Sequence, residues 1–250
     1  MKKDSLNVLE IENVCCSLGR FALQDISFSL EKGYFMGVLG RNGAGKSSLI
    51  NILLGKNRKK SGKIYVDGID MDQNPLEVKQ KLGFVVDDQP FFLKHTVLEN
   101  GSRFGSFYRN YSEELFRFWL KEMQIKEKVW VKELSKGENV KLQLAFALAH
   151  SPSLLILDEP TGNLDPVFRK EFIHILQDAI ARQEVSVLMT THLTKDVERV
   201  ADYIVLMEQG KVVHSGSMDC LRQEFEQSAY GTDLMEWMYD MTRPDKRTNT

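Results

Sequence analysis

The stretch GRNGAGKS, residues 40–47, has the residue types and spacing of a phosphate-binding loop. Its glycines let backbone N–H groups converge on phosphate oxygens, and a helical pattern that begins at Lys46 adds its dipole. Lys46 can reach the β- and γ-phosphates of a nucleotide, and the Ser47 hydroxyl can bind Mg²⁺. The alternative, a chance glycine-rich turn, is disfavoured by the apolar strand before the stretch and the helix after it. The candidate phosphate-binding residues are Gly40, Asn42, Gly43, Ala44, Gly45, Lys46, Ser47 and Ser48.

Two acids follow the apolar run LLIL and end a predicted strand. At a strand end beside the phosphate loop, Asp158 would hold Mg²⁺ through water, which makes Ser47 and Asp158 candidate metal residues. Glu159 could orient and deprotonate an attacking water. The alternative is an acidic turn without a ligand, but the apolar residues before the pair favour the functional interpretation.

Two further motifs have structural as well as functional interpretations. In LSKGE, residues 134–138, the Ser135 and Glu138 side chains have the spacing of a capping box, and a capped helix start is also an anion site. His192 ends the apolar run VSVLMTT, at the edge where open α/β sheets bind ligands. We interpret the remaining histidines as structural: His95, His150, His174 and His214.

These residues must be positioned by strand ends. Short strands with turns occupy residues 6–39, and the apolar runs at 34–40, 154–158 and 185–191 have the length of strands buried on both faces. Residues 91–150 are rich in aromatics and helix formers, and a hairpin is predicted at 203–216. The predicted fold class is α/β, with a mixed, mainly parallel sheet, an N-terminal antiparallel β sub-domain and an inserted helical sub-domain.

Composition excludes several classes of protein. With 33 Lys+Arg against 35 Asp+Glu in 250 residues, no global charge favours a nucleic-acid partner. The three cysteines form no metal-binding spacing. No apolar run approaches the ~18 residues of a membrane span, so work at a membrane would require another anchor.

Taken together, the motifs resemble those of an ATP-binding cassette (ABC) ATPase, over about residues 6–216. Motifs of that family in this order are specific, whereas the phosphate loop alone would not be. The family's phosphate loop falls on residues 40–47, its signature on 134–138 and its acidic strand on 154–159. The loop after that strand falls on Asn163, Leu164 and Asp165, and the switch histidine on His192.

The resemblance implies ATP and Mg²⁺ as cofactors and a head-to-tail dimer that encloses two ATP molecules. In that dimer Ser135 and Gly137 would reach across to the partner's γ-phosphate. The phosphate-loop and sheet-edge residues of one subunit would bind one ATP, and Glu159, His192 and Lys46 would be the catalytic residues.

The resemblance also implies a P-loop ATPase domain at 1–216, with a core at about 1–87 and 151–216 and a helical sub-domain at about 88–150. A helical tail is predicted at 217–250, because its sequence places Leu234, Trp237, Met238 and Met241 on one helical face. We expect this helix to pack on its own domain or on its dimer mate rather than on a membrane surface, because it carries acidic residues.

Three departures from the family pattern stand out. The common signature is LSGGQ, whereas this chain has Lys136 and Glu138 within it. The aromatic residue that usually stacks on adenine aligns with Leu18, and Phe21 could substitute for it.

The third departure lies in VVDDQPFFL, residues 85–93, where the family's magnesium-binding glutamine aligns with Asp87. A carboxylate can also take a place in an octahedral magnesium shell, so Asp87 is a candidate metal residue. Gln89 lies two residues on, and a shifted register is left open. The apolar residues that follow, Phe91 and Phe92, lie where the family docks its membrane subunit.

The resemblance is greatest to the separate ATPase subunits of ABC-2 type exporters, with peptides or antimicrobial compounds as candidate cargo. It implies a membrane-spanning partner subunit, a second ATPase subunit and a peripheral place on the cytoplasmic face of the membrane. The alternative is a soluble ABC ATPase in translation or DNA repair, although translation-type relatives carry two cassettes in one chain. A P-loop GTPase is disfavoured because no N-K-x-D motif occurs.

Overall fold

The computed structural model describes residues 6–162, 164–226 and 234–241. Two sheets and the helices around them account for most of these residues. The strands are β1 (Asn7–Leu18), β2 (Phe21–Glu31), β3 (Phe35–Leu39), β4 (Ser61–Val66), β5 (Ile69–Asp70), β6 (Leu82–Val85), β7 (Leu154–Asp158), β8 (Ser186–Thr191), β9 (Tyr203–Glu208) and β10 (Lys211–Ser217). The helices are α1 (Lys46–Leu53), α2 (Pro75–Lys81), α3 (Val97–Gly105), α4 (Glu113–Glu122), α5 (Lys136–Ala149), α6 (Pro166–Gln183), α7 (Thr194–Val197), α8 (Met218–Glu226) and α9 (Leu234–Met241).

The first sheet is antiparallel, with the strand order β2-β1-β4-β5. In β2 the buried side chains of Ile26, Phe28 and Leu30 alternate with exposed ones. This alternation is typical of a sheet that packs one face on the core and leaves the other to water. It forms the predicted N-terminal antiparallel unit.

The second sheet has the order β10-β9-β3-β8-β7-β6 and is mixed, with only the β9–β10 pair antiparallel among its ladders. Every residue of β3 and β8 is buried. Strands covered on both faces need continuous apolar sequence, which is why these runs lack alternation. The predicted fold class is confirmed.

The segment between β6 and β7 is largely helical, as predicted. Helices α3, α4 and α5 pack an aromatic core in which the buried Phe91 ring lies 5.6 Å from both Phe104 and Phe146, edge-on to each. This core is continuous with one face of the second sheet through Phe35 and Leu39. The helical segment is therefore fixed to the sheet by packing as well as by its two connections.

The tail returns to the same body. In α9 the side chains of Leu234, Trp237 and Met238 are buried, and the Trp237 ring meets His214 of β10 edge-on at 5.0 Å. Met241, which the sequence places on the same helical face, is 40% exposed. In the described ranges no helix combines the length and apolarity needed to cross a membrane. Asn163 lies outside the described residues.

His150, at the end of α5, makes stability depend on pH. Its ring is buried, stacks on Tyr108 at 3.9 Å, and its Nδ1 has no hydrogen-bond partner. Burial lowers the pKa of His150 from 6.5 to about 4. The unfolded chain therefore binds the extra proton first as the pH falls.

We predict that His150→Phe makes the unfolding free energy less dependent on pH below pH 7. The native chain should lose on the order of 2 kcal/mol of unfolding free energy through this group between about pH 7 and pH 5. The variant should not show that loss, whereas His174→Phe, at an exposed position, should behave as the native chain. Denaturant titrations at pH 7 and pH 5 give the unfolding free energy at each pH. An equal loss of unfolding free energy between the two pH values in all three proteins would contradict the assignment.

Candidate nucleotide site

The phosphate loop joins β3 to α1, and its glycines are required by space and by backbone angle. A Cβ on Gly40 would lie 2.5 Å from the Met207 carbonyl oxygen. Gly45 has φ 111° and precedes α1, and no side chain caps that helix. Gly40 is therefore required by the close approach of β9 and Gly45 by the turn into α1, and the uncapped N–H groups of the first turn suit phosphate oxygens.

Lys46 supplies the positive charge of the loop. Its side chain is only 4% exposed, and its Nζ donates to the Gly40 carbonyl at 2.7 Å and to that of Arg41 at 3.3 Å. The same Nζ lies 3.2 Å from Glu159 Oε1. A buried ammonium needs such partners, and these hold it at the loop rather than in solvent.

Asp158 meets Ser47 where β7 ends. The Ser47 hydroxyl donates to Asp158 Oδ1 at 3.2 Å, and the Thr190 hydroxyl donates to the same oxygen at 2.6 Å. Hydroxyl and carboxylate oxygens are the hard ligands that Mg²⁺ prefers, so this pair fits a magnesium ion held with phosphate oxygens and water. Thr190 was not predicted from the sequence. A polar residue in a fully buried strand, in register with Asp158, is the signal that could have found it.

Glu159 is held by its backbone and by both carboxylate oxygens. Its φ is 46°, in the left-handed region, and its N–H donates to the Thr190 carbonyl at 3.1 Å. His192 Nδ1 donates to Glu159 Oε2 at 2.7 Å, since a carboxylate can only accept. With Lys46 on the other oxygen, the carboxylate is oriented as a general base requires.

A cavity of about 460 Å³ opens beside the loop, within the size range of small-molecule sites. Leu18 and Phe21 both line it. The Phe21 ring also lies against the loop, since a Cβ on Gly45 would meet it at 2.9 Å. Both residues predicted to contact adenine are thus at the same wall, and the choice between them stays a prediction. The remaining lining residues are Asn42, Gly43, Ala44, Gly45, Lys46, Ser47, Ser48 and Glu159.

The tail helix borders the other side of the loop, which the sequence did not predict. A second cavity, of about 560 Å³, lies between α9 and the loop and includes His192. Its lining residues are Gly40, Arg41, Asn42, His192, Met235, Glu236, Met238 and Tyr239.

Ser135 and Glu138 form the predicted capping box at the start of α5. The Glu138 N–H donates to Ser135 Oγ at 3.2 Å, and the Ser135 N–H donates to Glu138 Oε2 at 2.8 Å. These bonds from Ser135 hold the pKa of Glu138 below its usual range. Gly137 packs close to the Phe168 ring. Within the described residues, the hydrogen bonds of Ser135 are to Glu138 and Asn139, and none joins it to the phosphate loop.

The two candidates for the magnesium-sensing position contact α5. Asp87 Oδ1 lies 2.8 Å from Lys136 Nζ, and the Gln89 amide donates to the Asn139 side chain. Within the described residues, no hydrogen bond joins Asp87 or Gln89 to Ser47 or Asp158. The assignment of Asp87 to Mg²⁺ therefore stays a prediction.

The sequence that forms this site matches a known family. A family model described as "ABC transporter" matches residues 23–162. The chain belongs to the ABC transporter family. It is therefore an ATPase, and the glycine-rich loop, the two acids that follow β7 and His192 meet at one edge of its second sheet.

Several curated ABC proteins are similar to the chain. The ABC transporter ATP-binding protein YtrB of Bacillus subtilis is 30% identical over 218 residues, covering 86% of this chain and 74% of YtrB. The Nod factor export ATP-binding protein I of Rhizobium leguminosarum is 34% identical over 213 residues, covering 82% and 68%. The bacitracin transport ATP-binding protein BcrA of Bacillus licheniformis is 29% identical over 206 residues, covering 81% and 67%. A solved ATP-binding subunit of an ABC transporter shares the fold, with a TM-score of 0.83 at 23% identity over 94% of this chain and all of that one.

In the ABC reaction ATP supplies the phosphoryl group that water attacks. We propose that the loop N–H groups and Lys46 bind and neutralise its phosphates. Ser47 and Asp158 would hold Mg²⁺. Glu159, oriented by His192, would accept the proton of the attacking water.

We predict that Glu159→Gln lowers ATP turnover by about 10²- to 10⁴-fold, the usual contribution of a general base. The amide keeps the shape of the side chain, so ATP should still bind with near-native affinity. Lys46→Ala should instead weaken ATP binding itself, because a phosphate-neutralising charge is lost. Turnover assays and equilibrium ATP binding separate the two, and near-native turnover of Glu159→Gln would contradict the base assignment.

Proposed function

We propose that the chain is the ATP-hydrolysing subunit of a membrane exporter, and that ATP closes two such subunits head to tail. The observation that carries the proposal is the division of the site. Lys46, Asp158 and Glu159 converge at one sheet edge, while Ser135 and Gly137 lie at the start of α5 and contact other partners. A second copy can bring its own Ser135 and Gly137 to the nucleotide. Hydrolysis then depends on closure, and closure can drive transport.

The proposed cargo class is peptides or antimicrobial compounds. Support for this cargo class comes from the name of BcrA, a bacitracin transport protein. The Nod factor export protein supports export in general. The departures shared with ABC-2 type exporters, Lys136 and the acid Asp87, point the same way. Among the described residues we propose a division into a core, the helical segment before β7 and a tail after β10.

The proposed membrane partner docks on the apolar end of the helical segment. Phe91 is buried, but Phe92 and Leu93 are each 51% exposed and Trp130 is 44% exposed. The Lys132 N–H donates to the Leu93 carbonyl at 3.2 Å, which keeps the turn bearing Trp130 beside these residues. Exposed apolar residues grouped in this way favour a protein interface. Through it the chain would sit peripherally on the cytoplasmic face of the membrane.

Mixing two inactive variants tests the head-to-tail arrangement. Lys46→Ala destroys the loop side of a site and Gly137→Asp destroys the opposite side. In a mixed dimer one site combines both lesions and the other combines neither. A 1:1 mixture should therefore regain about a quarter of native ATPase activity, because half the dimers are mixed and each has one intact site. A mixture as inactive as its components would contradict the arrangement.

Capture from detergent-solubilised membranes of the source cells tests the exporter assignment. The chain should retain an integral membrane protein, and Phe92→Asp should reduce the amount retained by placing a charge in the apolar surface. Leu76→Asp is the matched control, because Leu76 is 75% exposed on α2. Retention of soluble ribosomal or DNA-repair proteins alone would favour the non-transport alternative.

A further inference from the structure

One face of α5 carries a stripe of polar side chains directed at the residues that follow β6. Lys136, Asn139 and Gln143 are three and four residues apart, which places them on one side of a helix. Each contacts residues 86–89. We call this set of contacts the α5 clasp.

Gln143 makes the most buried contact of the clasp. Its side chain is 4% exposed, and its Oε1 accepts from the Val86 N–H at 2.9 Å. Its Nε2 donates to the Val86 carbonyl at 3.0 Å and reaches that of Asp88 at 3.4 Å. The amide thus pairs with both backbone groups of the first residue after β6, as a neighbouring strand would.

The other two contacts are closer to the surface. Lys136 and Asp87 are paired at 2.8 Å but are 51% and 78% exposed, so the pair contributes little by itself. Asn139 accepts from the Gln89 amide. Gln143 is therefore the member of the clasp whose loss would leave the partly buried backbone groups of Val86 without a side-chain partner, which is the costly case.

The clasp connects two functional ends. Ser135 and Gly137 lie at the start of α5, while residues 86–89 lead directly into buried Phe91 and the exposed Phe92. A shift of α5 would therefore be transmitted to the proposed docking surface without passing through the sheet.

We propose that Gln143 is a positioning residue that joins residues 86–89 to α5, so that this loop and the surface after it move with the helix when ATP binds. The proposal rests on the function proposed above. It adds the physical connection between the nucleotide side and the membrane side of the subunit.

Hydrogen exchange of the 250-residue chain tests the connection. In a Glu159→Gln background, where ATP persists, ATP should slow exchange in residues 86–95 by about threefold. Gln143→Leu should abolish this response while ATP affinity stays as in the parent, because Gln143 is not among the residues that line the cavity beside the phosphate loop. If the leucine variant folds poorly, Gln143→Glu keeps the acceptor for Val86 but not the donor, and should reduce the response.

Gln80→Leu is the matched control. Gln80 makes an equivalent pair of backbone contacts elsewhere, donating to the Phe107 carbonyl at 2.9 Å and accepting from the Arg109 N–H at 2.9 Å. It should keep the ATP response even at a similar loss of thermal stability.

An intact response in Gln143→Leu, or an equal loss in Gln80→Leu, would overturn the proposal. A parent that binds ATP without any response in residues 86–95 would overturn it as well and leave the ATPase function standing. Failure of the parent to bind ATP would contradict the proposed function itself, and the ATP-linked motion with it.

Discussion

Strands β3, β8 and β7 run parallel and in register, so that Leu39 lies opposite Thr191 and Thr190 lies opposite Asp158. Parallel strands end together at one edge, and the phosphate loop, the two acids and His192 follow those ends directly. A shift of one residue would turn each side chain to the opposite face of the sheet. Asp158 would then lose the Thr190 hydroxyl. Since these strands are buried on both faces, packing holds the register on which the site depends.

The carboxylate of Glu159 contacts two positively chargeable side chains at this sheet edge, Lys46 and His192. Glu159 accepts from His192 with one oxygen and faces the Lys46 ammonium with the other. Lys46 is almost fully buried, and a buried charge is stable only with close partners of this kind. The same contacts that stabilise the lysine therefore fix the direction of the proposed base. Stability and catalytic orientation share one set of atoms.

Local features of the site could be predicted from the sequence, and long-range ones could not. The phosphate loop, the helix starting at Lys46 and the capping box at Ser135 depend on neighbours within a few residues, and their motifs were sufficient. The packing of α9 beside the loop depends on contacts between distant segments that share no local pattern. The sequence likewise left Phe91 and Phe92 equivalent, whereas the aromatic core buries the first and leaves the second half exposed.

Two of the three charged departures from the family pattern, Lys136 and Asp87, are explained by their contact with each other. A lysine at the first position of α5 opposes the helix dipole, which favours negative charge there. Asp87 lies against that lysine and supplies the opposite charge. Exposed ion pairs of this kind add little stability, so this pair is a minor contact between the loop and the helix. Lys136 and Asp87 each depart from a family motif, and together they form a polar contact between the loop and the helix. Gln143 reinforces that contact from the buried end of the same helical face.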